Sequence, residues 1–289
     1  MKVLIITYYW PPAGGSGVQR WLKFVKYLQG FNIQPIVYTI SNPRYLTIDG
    51  SLLNEIPENI EVLKHPIWEP TDLLFWKRKL QQEGGISNAS KNSFLSFIRG
   101  NFFIPDPKLF WIKSSVKYLQ RYLNKNDVDV IISSGPPHSM HLIAQKLHQK
   151  NDVKWLADFR DPWSDIYYNK DFKELSFAKN KNKKLEELVL KNADCVLTVS
   201  NALKKEFSKK ANRVEVVTNG YDDELQEPTK EPLDKKFTIS YIGLLPKQSN
   251  PENLFRVLQV LCSQHKGFEN DLQLNFIGDI SDVVKTAVF

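Results

Sequence analysis

Cysteine is scarce in this chain, with only Cys195 and Cys262 among its 289 residues. The two fall in different expected units, so they read as reduced thiols of a cytoplasmic protein and not as a disulfide framework. Long apolar runs are also missing: no stretch reaches the roughly 18 apolar residues that a membrane-spanning helix needs. The first apolar run stops at polar Thr7 without a cleavage-site pattern, so no leader peptide is expected. No Gly-Lys-Ser/Thr follows the glycine cluster near the start, which excludes a Walker phosphate loop. Gly15-Ser16-Gly17-Val18-Gln19-Arg20 lacks the third glycine of a dinucleotide fingerprint. The second expected strand, Ile36-Val37-Tyr38, also runs into Thr39-Ile40-Ser41-Asn42 with no acidic residue at its end, so a dinucleotide site is excluded as well.

Acidic side chains fall short of basic ones, 32 against 39, giving a net charge of +7. Such an excess suits a polyanion, an acidic membrane surface or a phosphorylated substrate. Nucleic acid is set aside, because the basic residues spread over many expected helices and no helix-turn-helix, zinc-finger or RNA-recognition signature occurs. A hydrophobic content of 42% and a charged content of 25% belong to a soluble globular protein long enough for one large or two ordinary domains.

What is present begins with the opening unit. Val3-Leu4-Ile5-Ile6 is a continuous apolar run, as expected of a strand buried on both faces of a parallel sheet. Pro11-Pro12-Ala13-Gly14-Gly15-Ser16-Gly17 then breaks the chain. Val18, Trp21, Leu22, Val25 and Leu28 follow at helical spacing, with Gln19, Arg20, Lys23, Lys26 and Gln29 on the other, polar face. Two readings of the loop stay open. Small residues are what a tight strand-to-helix turn needs, and they also let an anion approach the amides of a helix N-terminus.

Further along, apolar runs alternate with amphipathic stretches. Strands are expected at Pro35–Thr39, Ile60–Leu63, Val128–Ser133, Lys154–Ala157, Cys195–Val199 and Val214–Val217. Helices are expected near Phe110–Leu123, Met140–Gln149 and Phe172–Asn192, with a short one from Ala202. The pattern predicts an α/β fold, a Rossmann-like parallel sheet with helices on both faces. Ligands of such sheets bind beyond the carboxyl ends of the strands. Residues 1–222 form the expected first domain, and 223–236, rich in Asp, Glu, Lys and Pro, the linker. Residues 237–289 carry a second β-α-β unit, with strands at Phe237–Ile242 and Leu272–Ile277 around a helix at Glu252–Gln264. Two strands and a helix do not bury a sheet of their own, so an incomplete second Rossmann-like domain is expected there.

The stretch Ile86–Trp111 interleaves Phe94, Leu95, Phe97, Ile98, Phe102, Phe103, Ile104, Phe110 and Trp111 with Lys91, Arg99 and Lys108. One reading is a surface that rests on lipid headgroups or holds a lipid-linked substrate, by aromatic anchoring and basic attraction. The other is a long excursion whose aromatics fill the core.

The rim rule singles out the segments that follow strands. Asp158-Phe159-Arg160-Asp161-Pro162-Trp163 follows Lys154–Ala157. Its carboxylates are candidates for orienting hydroxyls, and an Asp–Arg pair fixing a turn is the plainer alternative. Ser134-Gly135-Pro136-Pro137-His138 follows another strand, and His138 is a candidate for contact with a phosphate or a hydroxyl, or for capping and packing. His141 lies three residues on, but two histidines without a third ligand make no metal site, so no metal is expected.

Pro11-Pro12-Ala13-Gly14-Gly15, the Asp158–Trp163 run, Ala193-Asp194-Cys195-Val196-Leu197-Thr198-Val199-Ser200 and Thr218-Asn219-Gly220-Tyr221-Asp222, in that order, resemble bacterial family 4 glycosyltransferases. The resemblance implies retaining enzymes of the GT-B fold, with two Rossmann-like domains facing each other across a cleft. It implies an acceptor-side first domain and a second domain that binds most of a nucleotide-sugar, which is a co-substrate, with no cofactor held by the protein. On that resemblance Asp161, Asp158 and His138 are the catalytic candidates. Gly14, Gly15, Ser16, Gly17 and Lys247 would bind the donor phosphate or sugar, and Arg160, Asn219 and Gly220 would line the interdomain cleft.

The implied activity is sugar transfer to a glycan or lipid-linked acceptor in bacterial surface polysaccharide synthesis. The implied location is the cytoplasm, peripheral at the inner face of the cell membrane, with membrane contact through residues 86–111. Rival readings are a non-catalytic sugar- or nucleotide-binding module and a GT-B-type epimerase or phosphorylase. Asp127-Val128-Asp129 imitates the metal-binding motif of the other glycosyltransferase fold but precedes its strand. Glu61 and Glu69 have the spacing of the family's paired glutamates in the wrong half of the chain. The family's diphosphate-gripping Arg has no counterpart in Gly243-Leu244-Leu245-Pro246-Lys247, and the glutamate pair is missing, so residues 1–289 are expected to bind donor weakly and turn over nothing. An E-x7-E pair after Phe289 would decide between the readings.

Overall fold

The computed structural model describes residues 1–45, 47–68, 93–166, 173–221 and 232–288. Glu69, residues 86–92 of the aromatic stretch, Phe172 and residues 222–231 lie outside them. The chain divides into two compact units, Met1–Gly220 and Tyr221–Phe289.

In the first unit β1 (Lys2–Ile6), β2 (Gln34–Ile40), β3 (Glu61–His65), β4 (Val130–Gly135), β5 (Lys154–Phe159), β6 (Cys195–Thr198) and β7 (Val214–Val216) form one sheet. Their order is β3-β2-β1-β4-β5-β6-β7 and every pairing is parallel, with Ile5 opposite Val37 on one side and Ile132 on the other. The chain starts in the middle of the sheet, builds to one edge, then returns beside β1 and builds to the other. That reversal opens a crevice beyond the ends of β1 and β4, the place where such sheets take ligands.

Among the described residues this unit has the helices α1 (Ser16–Leu28), α2 (Ser93–Phe102), α3 (Trp111–Leu123), α4 (Ser139–His148), α5 (Ser176–Asn192) and α6 (Asn201–Phe207). Alternate residues of β1 enter different cores, because successive side chains of a strand point to opposite faces. Leu4 and Ile6 pack with Trp111, Leu119, Met140 and Val189 on one face, while Val3 and Ile5 pack with Val18, Trp21, Leu22 and Val25 of α1 on the other. Burial on both faces explains the unbroken apolar run at the start of the chain.

Two expectations need correction. β5 runs through Phe159 and not only to Ala157, so Asp158 is a strand residue paired with Ser134 and Leu197, not a loop residue at the rim. Arg20, assigned to the polar face of α1, is only 4% exposed. Both corrections have one cause, since the two side chains neutralise each other inside the protein. The aromatic stretch divides between its two readings: Ile104 and Trp111 are in the core, whereas Phe102 and Phe110 are exposed.

The second unit has a parallel pair, β8 (Phe237–Ile242) and β9 (Leu272–Ile277), with α7 (Glu252–Gln264), α8 (Phe268–Asp271) and α9 (Asp282–Val288). Leu245, Phe255 and Val284 form its core. Gly243 and Gly278 follow the two strands at φ of 134° and 135°, and a Cβ on Gly278 would run into the Gly243 carbonyl, so glycine is required there. Lys247 opens a single 3-10 turn, Lys247–Ser249.

Candidate active site

The loop after β1 is tied down before it enters α1. The Gly14 amide donates to the Thr47 carbonyl at 2.9 Å, and a Cβ on Gly14 would lie 2.9 Å from the Thr47 methyl, so the approach requires a residue without a side chain. Gly15 turns the chain at φ 85° and stands at the N-cap of α1, where no side chain satisfies the first-turn amides. Those uncapped N–H groups at the positive end of a helix of 13 residues favour an anion.

Beneath this turn lies a buried ion pair. Arg20 of α1 donates from Nη2 to Asp158 Oδ1 at 2.8 Å and from Nε to both carboxylate oxygens at 3.1 and 3.2 Å. Trp21 Nε1 and the Ser134 hydroxyl each donate to Asp158 Oδ2 at 2.9 Å. With 0% exposure and these donors around it, the Asp158 carboxylate is wholly engaged within the chain. The remaining Arg20 nitrogen, Nη1, donates to the Val217 carbonyl at 2.9 Å and to Asn219 Oδ1 at 3.0 Å. One guanidinium thus links α1, β5 and the segment after β7.

A second arginine fastens the rim from above. Arg160 donates from Nη1 to the Gly17 carbonyl at 2.9 Å, from Nη2 to the Pro136 carbonyl at 2.6 Å and from Nε to the Gly135 carbonyl at 3.2 Å. The expected Asp–Arg turn therefore does not form around Arg160. Its partners are backbone carbonyls of α1 and of the turn after β4, while Arg20 takes the carboxylate of Asp158. Asp161, the next residue, is exposed, yet desolvation by the surrounding rim outweighs the Arg160 charge and raises its pKa above the usual carboxylate value.

His138 and His141 sit under the Pro136–Pro137 turn. The His138 ring stacks on Trp163 with centroids 4.6 Å apart and planes 2° from parallel, and His141 stacks on Phe159 at 4.4 Å. Burial, with the Arg160 charge adding to it, pushes the His138 pKa down to about 3, and burial holds His141 well below its ordinary value. Both rings are neutral at physiological pH. Trp155 Nε1 donates to the Ser133 hydroxyl at 2.9 Å, and that hydroxyl is 2.8 Å from His141 Nδ1, the direction of this second bond depending on the His141 tautomer. His138 Nδ1 and His141 Nε2 are buried without a hydrogen-bond partner, and both border Gly135. Asp106 fixes the turn from below, accepting from the Ser139 amide and hydroxyl, each at 2.8 Å.

The structure brings Gly14, Gly15, Ser16, Gly17, His138, Arg160, Asp161 and Asn219 to one rim of the sheet, with Asp158 beneath it; Gly220 is exposed at the end of the same unit. Lys247 belongs to the other unit. Sequence reasoning missed Arg20, Asp106 and Trp163. Arg20 occupies a position of α1 beside Trp21, and a tryptophan whose indole needs an acceptor next to an arginine was the available signal for a buried carboxylate partner. Asp127–Asp129 lies at the opposite end of the sheet, where Asp129 accepts from the Lys2 amide at 2.6 Å, and Glu61 accepts from the Tyr122 hydroxyl at 2.7 Å. Among the described residues no three His, Cys, Asp or Glu side chains converge as metal ligands.

Residues 78–225, a little more than half of the chain, match the family model described as Glycosyltransferase Family 4. No protein of curated function matches the sequence. Among solved structures, TarM is similar at a TM-score of 0.58 and 11% identity, over 99% of this chain and 73% of that one. A trehalose-6-phosphate protein from E. coli bound with UDP-2-fluoro glucose follows at 0.56 and 12%, over 99% and 67%. Sucrose-phosphate synthase from Thermosynechococcus elongatus is similar at 0.53 and 13%, over 99% and 72%. At these identities the likeness shows the fold, the Rossmann-like architecture of GT-B glycosyltransferases.

Proposed function

The chain belongs to Glycosyltransferase Family 4, and from that premise we propose that it transfers a sugar, with retention, from a nucleotide-sugar to a glycan or lipid-linked acceptor in bacterial surface polysaccharide synthesis. The observation that carries the reading is the Arg160 clamp, which holds the uncapped start of α1 beside the Gly135–His138 turn. The α1 amides stabilise charge as it builds on the departing diphosphate, the point at which glycosyl transfer most needs help. The bond from the anomeric carbon to the phosphate oxygen breaks while the acceptor oxygen bonds to the same face. The acceptor proton passes to the leaving phosphate, so no strong protein base is required. Asp161 orients the acceptor hydroxyls or the donor sugar, and neutral His138 meets a hydroxyl. Asp158 acts through Arg20, and Lys247 grips the donor diphosphate.

A lipid-linked acceptor at the inner face of the cell membrane fits the exposed aromatics. Trp68, Phe102, Phe110 and Phe177 are exposed, with Phe110 against Trp68 at 5.2 Å and Phe102 near Phe177 at 6.3 Å. Exposed Lys179, Lys181, Lys183 and Lys184 follow Phe177 on α5. Aromatic anchors beside lysines are the composition of a surface for anionic lipid. Among the described residues no helix is long and apolar enough to cross a membrane.

The test is a panel of nucleotide-sugars offered with a polyprenyl-phosphate-linked acceptor in anionic vesicles, following nucleoside diphosphate release and the anomeric configuration of the product. Residues 1–289 by themselves are expected to release nothing; joined to a donor domain that carries the family's paired glutamates, they are expected to give donor-dependent release with retained configuration. An inverted product from that chimera, or saturable binding without transfer, overturns the proposal in favour of another mechanism or a binding module.

A further inference from the structure

The turn that carries Asp161 and Trp163 is held from a helix that sequence reading did not connect to the site. Glu186 of α5 is only 3% exposed, and its Oε1 accepts from the Trp163 amide at 3.1 Å and the Ser164 amide at 3.4 Å. Its other oxygen accepts from the Ser164 hydroxyl. One helical turn earlier, on the same face, Asn182 Oδ1 accepts from Trp163 Nε1 at 3.1 Å, while its amide nitrogen reaches Glu174 Oε1 at 3.4 Å. Trp163 is therefore held at both ends, at its backbone and at the tip of its indole. A ring held in this way has one orientation, and it is the ring on which His138 lies at 4.6 Å and 2°.

We infer that Glu186 and Asn182 are positioning residues for the rim: they fix the Asp161–Ser164 turn and, through the indole of Trp163, the placement of the His138 ring. An apolar pair would fill the same space without desolvating a carboxylate. What the polar pair adds is direction, since hydrogen bonds specify the backbone turn and the plane of the indole where packing alone specifies only volume. Asp161 lies two residues before Trp163, so the same anchor that orients the indole limits how far the Asp161 carboxylate can travel. The roles given to Asp161 and His138 rest on the glycosyl-transfer reading; the anchoring does not.

The test is histidine-ring NMR of the full chain, with the variants N182A, E186A and E186Q compared with the native protein from about pH 7 down to pH 5. In the native protein His138 stays neutral throughout, because burial sets its pKa at about 3. In N182A and E186A the loosened indole admits water, and the His138 midpoint is expected to rise by more than about two pH units, into the range observed, with E186Q intermediate. A folded N182A or E186Q protein in which His138 behaves as in the native chain overturns the inference, and these two variants carry the test if E186A does not fold. A shifted His138 in a protein that binds no nucleotide-sugar leaves the anchoring intact and removes the glycosyl-transfer reading.

Discussion

Arg160 and Gly17 stand 143 residues apart in the chain and are joined by a single hydrogen bond of 2.9 Å from guanidinium to carbonyl. That bond fastens the first turn of α1 to the turn after β4, because the same guanidinium also holds the carbonyls of Gly135 and Pro136. A planar fork with five donors spans three acceptors, and a lysine ammonium cannot.

R160K is therefore expected to free at least two of these carbonyls and to lose about 1.5–3 kcal/mol of stability. The loss is read from the midpoint and slope of urea unfolding. A midpoint equal to that of the native chain would show that the clamp contributes nothing.

Breaking the ion pair beneath the rim is expected to do more harm. D158A leaves the Arg20 guanidinium, with a side chain 1% exposed, buried without its counter-charge, and a broken buried pair costs about 3–5 kcal/mol. The double variant R20M/D158A removes both charges and is expected to recover part of that loss. If the single and double variants were equally unstable, side-chain volume and not charge would be the reason.

Neutral buried histidines make stability depend on pH. Because the pKa of His138 is about 3 in the folded protein and near 6.5 when unfolded, the unfolded chain binds more protons between those values. Stability is complete above pH 6.5 and is lost as pH falls towards 3, by up to about 1.4 kcal/mol per pH unit for one such group. His141, shifted in the same direction, adds to the trend. Asp106 and Asp161 oppose it above pH 3.8, since their pKa values are raised. H138F keeps an aromatic ring against Trp163, so the urea midpoint of that variant is expected to fall less steeply with acid than that of the native protein; equal slopes contradict the assignment.

Glycines of the rim differ in what they protect. A Cβ on Gly15 meets no atom within 4 Å, so G15A costs only the backbone strain of φ 85° and ψ 178°, a region held essentially by glycine, about 1–3 kcal/mol. A Cβ on Gly135 would stand 2.5 Å from His141 Nε2, a ring held by Ser133 and stacked on Phe159. G135A is expected to cost about 1–3 kcal/mol and to move the His141 ring resonances. Unmoved resonances in G135A would show that the pocket is looser than its geometry.

Much of the first unit was legible because buried parallel strands announce themselves as apolar runs. β1, β2, β4 and β5 were each found within a few residues, and the loops singled out by the rim rule do gather at one end of the sheet. What stayed hidden were relationships across the chain. Apolar spacing marks which face of α1 is buried, but it does not reveal that Arg20 bends into that interior, because the partner that neutralises it lies on β5. The end of β5 was misread for the same reason: a charged residue looks like the start of a loop until its counter-charge is known. Asp106, Asn182 and Glu186 carry no local signature, since each acts on a turn remote from it in sequence.

The central claim, that the carboxyl rim of the seven-stranded sheet is where the donor is engaged, is tested most directly by backbone amide NMR of the full chain titrated with a panel of nucleotide-sugars. The account predicts saturable shifts at Gly15, Ser16 and Gly17 together with His138 and Asp161, weakened in R160K. Shifts confined to the opposite end of the sheet, at the groove lined by Gln29, Asn32, Gln34 and Asn59, with the rim amides unmoved, would contradict it.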